Sequence, residues 1–311
     1  MDRADHISPL SESIIRTLAY YDLFDHPLTA SEIFSFLPTN HVTQEEIDRE
    51  LTMLDKQSLV FKMGAFYSLQ NNPILEKRRL KGNIMAEEYL NIAVRQSKRI
   101  ASFPFVRSVM ISGSLSKGYA DENSDIDFFV VTEPGRLWIA RTLLVAYKRL
   151  FLFNSHKYFC VNYFVDEKHL EIEEKNLFTA TEIATLIPLY DNGHYRELLL
   201  KNSWLYRFYP NFRMSSKVNA NGTGGFAKGM AEWILNHCFP GRIDRFFMHL
   251  TQRRWKKLYG NLLPFREFGI AFKSNPNVSK NHPRNFQKQI VIRYEERIQA
   301  FRKYFPLNSL T

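Results

Sequence analysis

The stretch ISGSLSKGYADENSDIDFFVV, residues 111–131, constrains this chain more than any other. Asp125 and Asp127 stand two apart at the entrance of an apolar, β-rich run that ends at Val131. Alternation along a strand puts residues i and i+2 on one side, so both carboxylates point the same way. Two carboxylates at that spacing repel each other unless a cation sits between them, and beside phosphate oxygens Mg²⁺ is the natural occupant. Upstream, VRSVMIS (106–112) reads as a buried strand ending at Gly113-Ser114. A residue without a side chain lets the backbone approach a ligand closely there. A turn or short helix opening at Ser114 presents N–H groups and a hydroxyl that suit an anionic phosphate. Gly118 relaxes the loop that follows.

Gly113-Ser114, three residues, Gly118, six residues, then Asp125-Ile126-Asp127 opening an apolar strand resembles the signature of the polymerase-β-like nucleotidyltransferase superfamily. The resemblance is tight over about twenty residues and looser from Val106 to Val165. It implies transfer of a nucleoside monophosphate from a nucleoside triphosphate to a hydroxyl or similar acceptor. Gly113 and Ser114 would hold the triphosphate, with Gly118 in the same loop, and Asp125 and Asp127 would bind Mg²⁺ or Mn²⁺. Lys117 is either a charge contact to phosphate or a solvent-facing lysine. The family pattern also has a third carboxylate on a following strand. Here that strand reads FCVNYFV and the aligned position is Asn162. An amide cannot serve as a general base. Three readings stand at this point: an enzyme with a displaced third acid (Asp166, Glu171 or Glu173), an enzyme using substrate or water as base, and a binding module without turnover.

At 311 residues the chain exceeds one typical domain. Residues 1–73 read as three short helices and a hairpin. Thr29 with Glu32 and Thr43 with Glu46 make capping boxes, and LVFKMGAFYSLQ (59–70) gives two short strands around Met63-Gly64. The unit resembles a winged-helix domain. Its reading helix carries Glu45, Glu46, Asp48, Glu50 and Asp55 against Arg49 and Lys56, so binding to the DNA phosphates is disfavoured and a protein contact or internal packing is expected. Residues 74–175 read as a long charged helix, weakened at Gly82, leading into a small mixed sheet with helices on one face. Residues 176–311 read as a basic helical region, with 218–225 and 272–285 as loops and ATEIATLIPLY and HYRELLLKNSWLYRFY as helices. The fold class expected is therefore α+β: a nucleotidyltransferase-like core between a winged-helix-like domain and a C-terminal helical region.

Charge is unevenly spread. Residues 1–70 hold 5 Lys/Arg against 11 Asp/Glu, whereas residues 201–311 hold 20 against 5. The basic third either attracts an acidic acceptor or RNA, or complements the acidic N-terminal unit. The cluster Arg253, Arg254, Lys256 and Lys257 reads as a solvated helix face. Cys160 and Cys238 lie far apart without metal or redox spacing, which points to a reducing compartment. The first residues lack a signal-peptide pattern, and the apolar run 137–153 is broken by Arg141, Lys148 and Arg149. A soluble, cytoplasmic protein with no membrane partner is expected. His156 and His169 flank the third strand and read as strand-end residues.

Overall fold

The computed structural model describes residues 7–155, 157–214, 225–238, 242–281 and 286–304. His156, residues 218–224 and residues 282–285 lie outside them. The N-terminal unit begins with α1 (Pro9–Tyr21), whose Ser8 side chain accepts from the Ser11 N–H. Strand β1 (Leu28–Thr29) leads into α2 (Ala30–Ser35), then α3 (Gln44–Lys56), β2 (Phe61–Met63) and β3 (Phe66–Ser68). Both expected capping boxes form, at Thr29/Glu32 and Thr43/Glu46, each stabilising its helix start by about 1 kcal/mol. The three strands pair in the order β1-β3-β2, all antiparallel. On α3, Ile47, Leu51 and Leu54 recur every three or four residues and are buried against Ile14, Ile15 and Leu18 of α1, while Glu45, Asp48 and Asp55 are exposed.

Helix α4 (Ile74–Ala101) then runs to the central sheet. Gly82, a weak point by propensity, has a tertiary reason. A Cβ there would lie 2.3 Å from the Tyr119 ring, and its carbonyl accepts from the Ala120 N–H. The glycine lets the loop after the GS turn lie directly on the helix. The chain continues through β4 (Val106–Ser112), α5 (Gly113–Ser116), β5 (Asp127–Thr132), α6 (Leu137–Phe151), β6 (Cys160–Asp166), α7 (Leu177–Ala184), β7 (Ile187–Tyr190) and α8 (His194–Lys201). It ends with α9 (Phe226–Cys238), α10 (Arg242–Tyr259), α11 (Phe265–Ala271), β8 (Ser274–Asn275), β9 (Val278–Lys280) and α12 (Phe286–Tyr304).

The central sheet is mixed and six-stranded, in the order β7-β4-β5-β6-β9-β8, with β5 and β6 parallel. Three of its strands come from beyond residue 175. ATEIATLIPLY, read as one helix, divides into α7 and β7. Pro188 is tolerated because β7 is an edge strand. FKSNPNVSK, read as loop, forms the β8–β9 hairpin. The segment 194–209 also divides, α8 being followed by a 3₁₀ turn at Ser203–Arg207.

Helices cover both faces of the sheet rather than one. The cause is visible in β5: Phe128 and Val130 face α4, α6 and α10, while Phe129 and Val131 face α7 and α8. A strand apolar on both sides must be covered on both. At the end of the described chain α12 returns to the N-terminal unit. Ile290 is buried against it and Arg297 lies 3.7 Å from Asp22, so part of the basic third does complement the acidic first unit. No helix among the described residues is long and apolar enough to cross a membrane.

Candidate active site

The GS turn and the aspartate pair meet at one end of β4 and β5, where Ser112 pairs with Asp127 across the ladder. The strand opens at Asp127, and Asp125 is exposed in the approach to it. That approach is fixed at both ends. Asp121 and Ser124 tie the preceding turn together through the Asp121 N–H, the Ser124 N–H and the Ser124 hydroxyl. The Ile126 N–H donates to the Lys157 carbonyl at 2.8 Å.

Gly113 has φ +72°, and a Cβ there would stand 2.7 Å from Asp127 Oδ2. The position is glycine because the carboxylate occupies the side-chain space and φ is positive, reasons beyond the close ligand approach anticipated from sequence. Ser114 is exposed at the first turn of α5, and Gly118, at φ +71°, faces open space. Lys117 is not solvent-facing. Its Nζ donates to Glu182 Oε1 at 2.7 Å and to the Gly113 carbonyl at 3.0 Å.

Asn162, the residue at the position expected for a third carboxylate, stands beside Asp127. Its Nδ2 donates to Asp127 Oδ1 at 2.9 Å. The β5–β6 register shifts between Phe128 and Phe129, so that Val161 and Tyr163 take consecutive partners and Asn162 is skipped. That bulge turns the amide towards Asp127. Burial, with the charge of Asp125 second, pushes the Asp127 carboxyl up to about 7. Burial and both aspartates push the neighbouring Cys160 thiol up to about 12.

None of the three carboxylates considered as a displaced third acid reaches this end of the sheet. Asp166 pairs with Thr132 at the opposite end of β5 and β6, where it holds His169. Glu171 pairs with Lys175, and Glu173 with Lys273. The carboxylate that does arrive is Glu182 of α7. Its Oε2 accepts from the Gly113 N–H at 3.3 Å, and its charge adds to the upward push on Asp127. Sequence reasoning missed it because it lies 55 residues beyond Asp127, on a helix with no motif. Among the described residues, no group of three or more His, Cys, Asp or Glu side chains is arranged to hold a metal.

An apolar slot of about 90 Å³ opens beside these groups. Ser112, Asn162 and Glu182 are shared with the site, and Phe129, Tyr163 and Ile183 line its interior.

A strand, a GS turn, an aspartate pair at the next strand's mouth and a parallel neighbouring strand are thus assembled at one edge. Residues 94–196 match the family model of the nucleotidyltransferase domain. This segment is a nucleotidyltransferase domain. The match covers the GS turn, both aspartates, Asn162 and Glu182, and it belongs to the superfamily that the GS…G…SDID pattern resembles. It supports an enzyme of the nucleotidyltransferase class. No curated protein and no solved structure matches the chain.

Proposed function

We propose that the protein transfers a nucleoside monophosphate from a nucleoside triphosphate to a small acceptor, with Asp125 and Asp127 holding Mg²⁺ or Mn²⁺. Gly113, Ser114, Lys117 and Gly118 face the triphosphate in this reading. The observation that carries it is the placement of Asp127 at the mouth of β5, paired with Ser112 beside the GS turn, with Asp125 in the approach. Burial first and the Asp125 charge second push the Asp127 carboxyl up to about 7, and a divalent cation would relieve the same repulsion. Two carboxylates suffice for Mg²⁺, which completes its shell with water and substrate phosphates. The bound ion would supply charge stabilisation at the reacting phosphorus.

The chain's own groups do the positioning. The Asn162 amide holds Asp127 by one oxygen, the Cys160 thiol also hydrogen-bonds the carboxylate, and the missing side chain at Gly113 leaves room for Oδ2. Asn162 has no basic atom to take the acceptor's proton. The slot bounded by Ser112, Asn162 and Glu182 favours an acceptor with a small apolar body over an RNA end. The basic C-terminal third, which favoured an acidic acceptor, has a structural use at α12.

The test is pyrophosphate release from each NTP with Mg²⁺ or Mn²⁺, in wild type and in Asp125→Asn/Asp127→Asn. Loss of at least about 100-fold in the double variant is expected, as for removal of the main electrostatic groups of a site. A second reading, nucleotide binding without turnover, rests on Asn162 in place of a carboxylate. Nucleotide binding by a wild type that releases no more pyrophosphate than the double variant selects it.

A further inference from the structure

The loop assigned to phosphate already has an anion on it. Glu182 spans the two donors, with Oε2 on the Gly113 N–H at 3.3 Å and Oε1 on the Lys117 ammonium at 2.7 Å. A carboxylate and a phosphate use the same kind of charge-assisted hydrogen bond, so one can stand where the other binds. They cannot stand there together at low cost. A glutamate left in place would face a triphosphate at contact distance, with Asp127 adding a third source of negative charge.

We propose that Glu182 is a built-in occupant of the phosphate loop, which holds the nucleotide-free site closed until an incoming triphosphate displaces it. The inference rests on the nucleotidyl-transfer reading above and adds to it a competition inside the chain.

The surroundings fit a side-chain swing rather than a helix movement. Helix α7 is anchored at its start by Asn176, whose side chain accepts from the Thr179 N–H at 3.0 Å. On another side Thr181 shares a 2.5 Å hydrogen bond with the Tyr209 hydroxyl. The backbone that carries Glu182 is therefore held. The Glu182 side chain itself is 28% exposed and Lys117 is 16% exposed, so the carboxylate has a path to solvent while the lysine stays inside to meet a phosphate. In the closed state the donors are kept oriented, and Gly113 and Lys117 are additionally linked through the Gly113 carbonyl.

A closed majority state lowers apparent affinity by the fraction of molecules that are open. The experiment is equilibrium binding of methylanthraniloyl-ATP and methylanthraniloyl-GTP, with Mn²⁺, to the full-length wild type, Glu182→Gln, Glu182→Ala and Lys117→Met. Glu182→Ala removes the occupant and is expected to bind about tenfold more tightly than wild type. Glu182→Gln keeps the shape and loses the charge, so it should move in the same direction. Lys117→Met removes a donor the nucleotide also needs and should bind more weakly. If wild type binds and both Glu182 variants bind equally well or less well, Glu182 is no competitor and the proposal fails. If none of the four proteins binds either nucleotide, the nucleotidyl-transfer reading fails and takes the proposal with it. Melting temperatures of the same samples separate lost binding from lost folding.

Discussion

Replacing Asp127 by Asn should make the metal-free protein more stable at alkaline pH while leaving it little changed in acid. The buried carboxyl holds its proton up to about 7 instead of the ordinary 3.8, through burial first and the charge of Asp125 second. The folded state thus binds more protons than the unfolded chain between those limits. Stability contributed by this group is present below about pH 4 and is lost as pH rises through 7. At about 1.4 kcal/mol per pH unit, the rise from 3.8 to about 7 amounts to at most about 4 kcal/mol. Asparagine has the same shape, can still accept from Asn162 Nδ2, and does not ionise. The assay is urea unfolding of wild type and Asp127→Asn in EDTA, from pH 4.5 to 8.5. The quantity of interest is the difference between the two proteins, since titrations elsewhere cancel in it. That difference should grow in favour of the variant by about 3 kcal/mol across the range. Millimolar Mg²⁺ at pH 8.5 should then stabilise wild type and not the variant. A difference that stays flat within about 1 kcal/mol refutes the claim that desolvation and Asp125 strain this carboxylate.

Gly113→Ala forces a side chain to φ +72° and a Cβ to 2.7 Å from Asp127 Oδ2. A loss of about 2 kcal/mol or more in denaturant unfolding is expected, and a cost below about 0.5 kcal/mol would mean that the turn re-forms without strain. Arg79→Ala should cost about 3 kcal/mol, measured in the same way. The buried guanidinium joins Glu32 at 2.6 Å, the Pro27 carbonyl, His26 and Asn83, tying α4 to the N-terminal unit. A cost under about 1 kcal/mol would show that water replaces these bonds easily.

The parts of the site that lie close in sequence were readable from it. The GS turn, the glycine at 118 and Asp127 at the strand mouth follow from turn chemistry and strand patterning inside twenty residues, whereas Asp125 lies before the strand, where alternation does not place it. Asn162 could be aligned because FCVNYFV reads as the following strand of the family pattern, although the bulge that brings its amide to Asp127 has no local signal. Glu182 was unreadable for a physical reason: one glutamate on an eight-residue helix looks like any solvated residue until the fold sets it against Gly113. The two-sided cover of the sheet was legible in principle, since Phe128 to Val131 is apolar without alternation. Strand β7 was hidden by Pro188 and by its shortness. The β8–β9 hairpin was hidden by polar strands whose Asn-Pro-Asn turn was read as loop.

Helix α7 shows that the stretch inherited as a domain and the stretch that stands as a body are different lengths of chain. The family match ends at residue 196, yet β6 bonds on its far side to β9, from residues 278–280. Helix α7 leans on α12, and its first two residues, Leu177 and Phe178, pack against the core of the N-terminal unit. Cut at its family limits, the segment would keep every group named in the chemistry and lose the walls that hold Glu182 and the slot in place. It would also bare a row of strand donors and acceptors to any passing chain. The flanking thirds act as masonry for the catalytic edge.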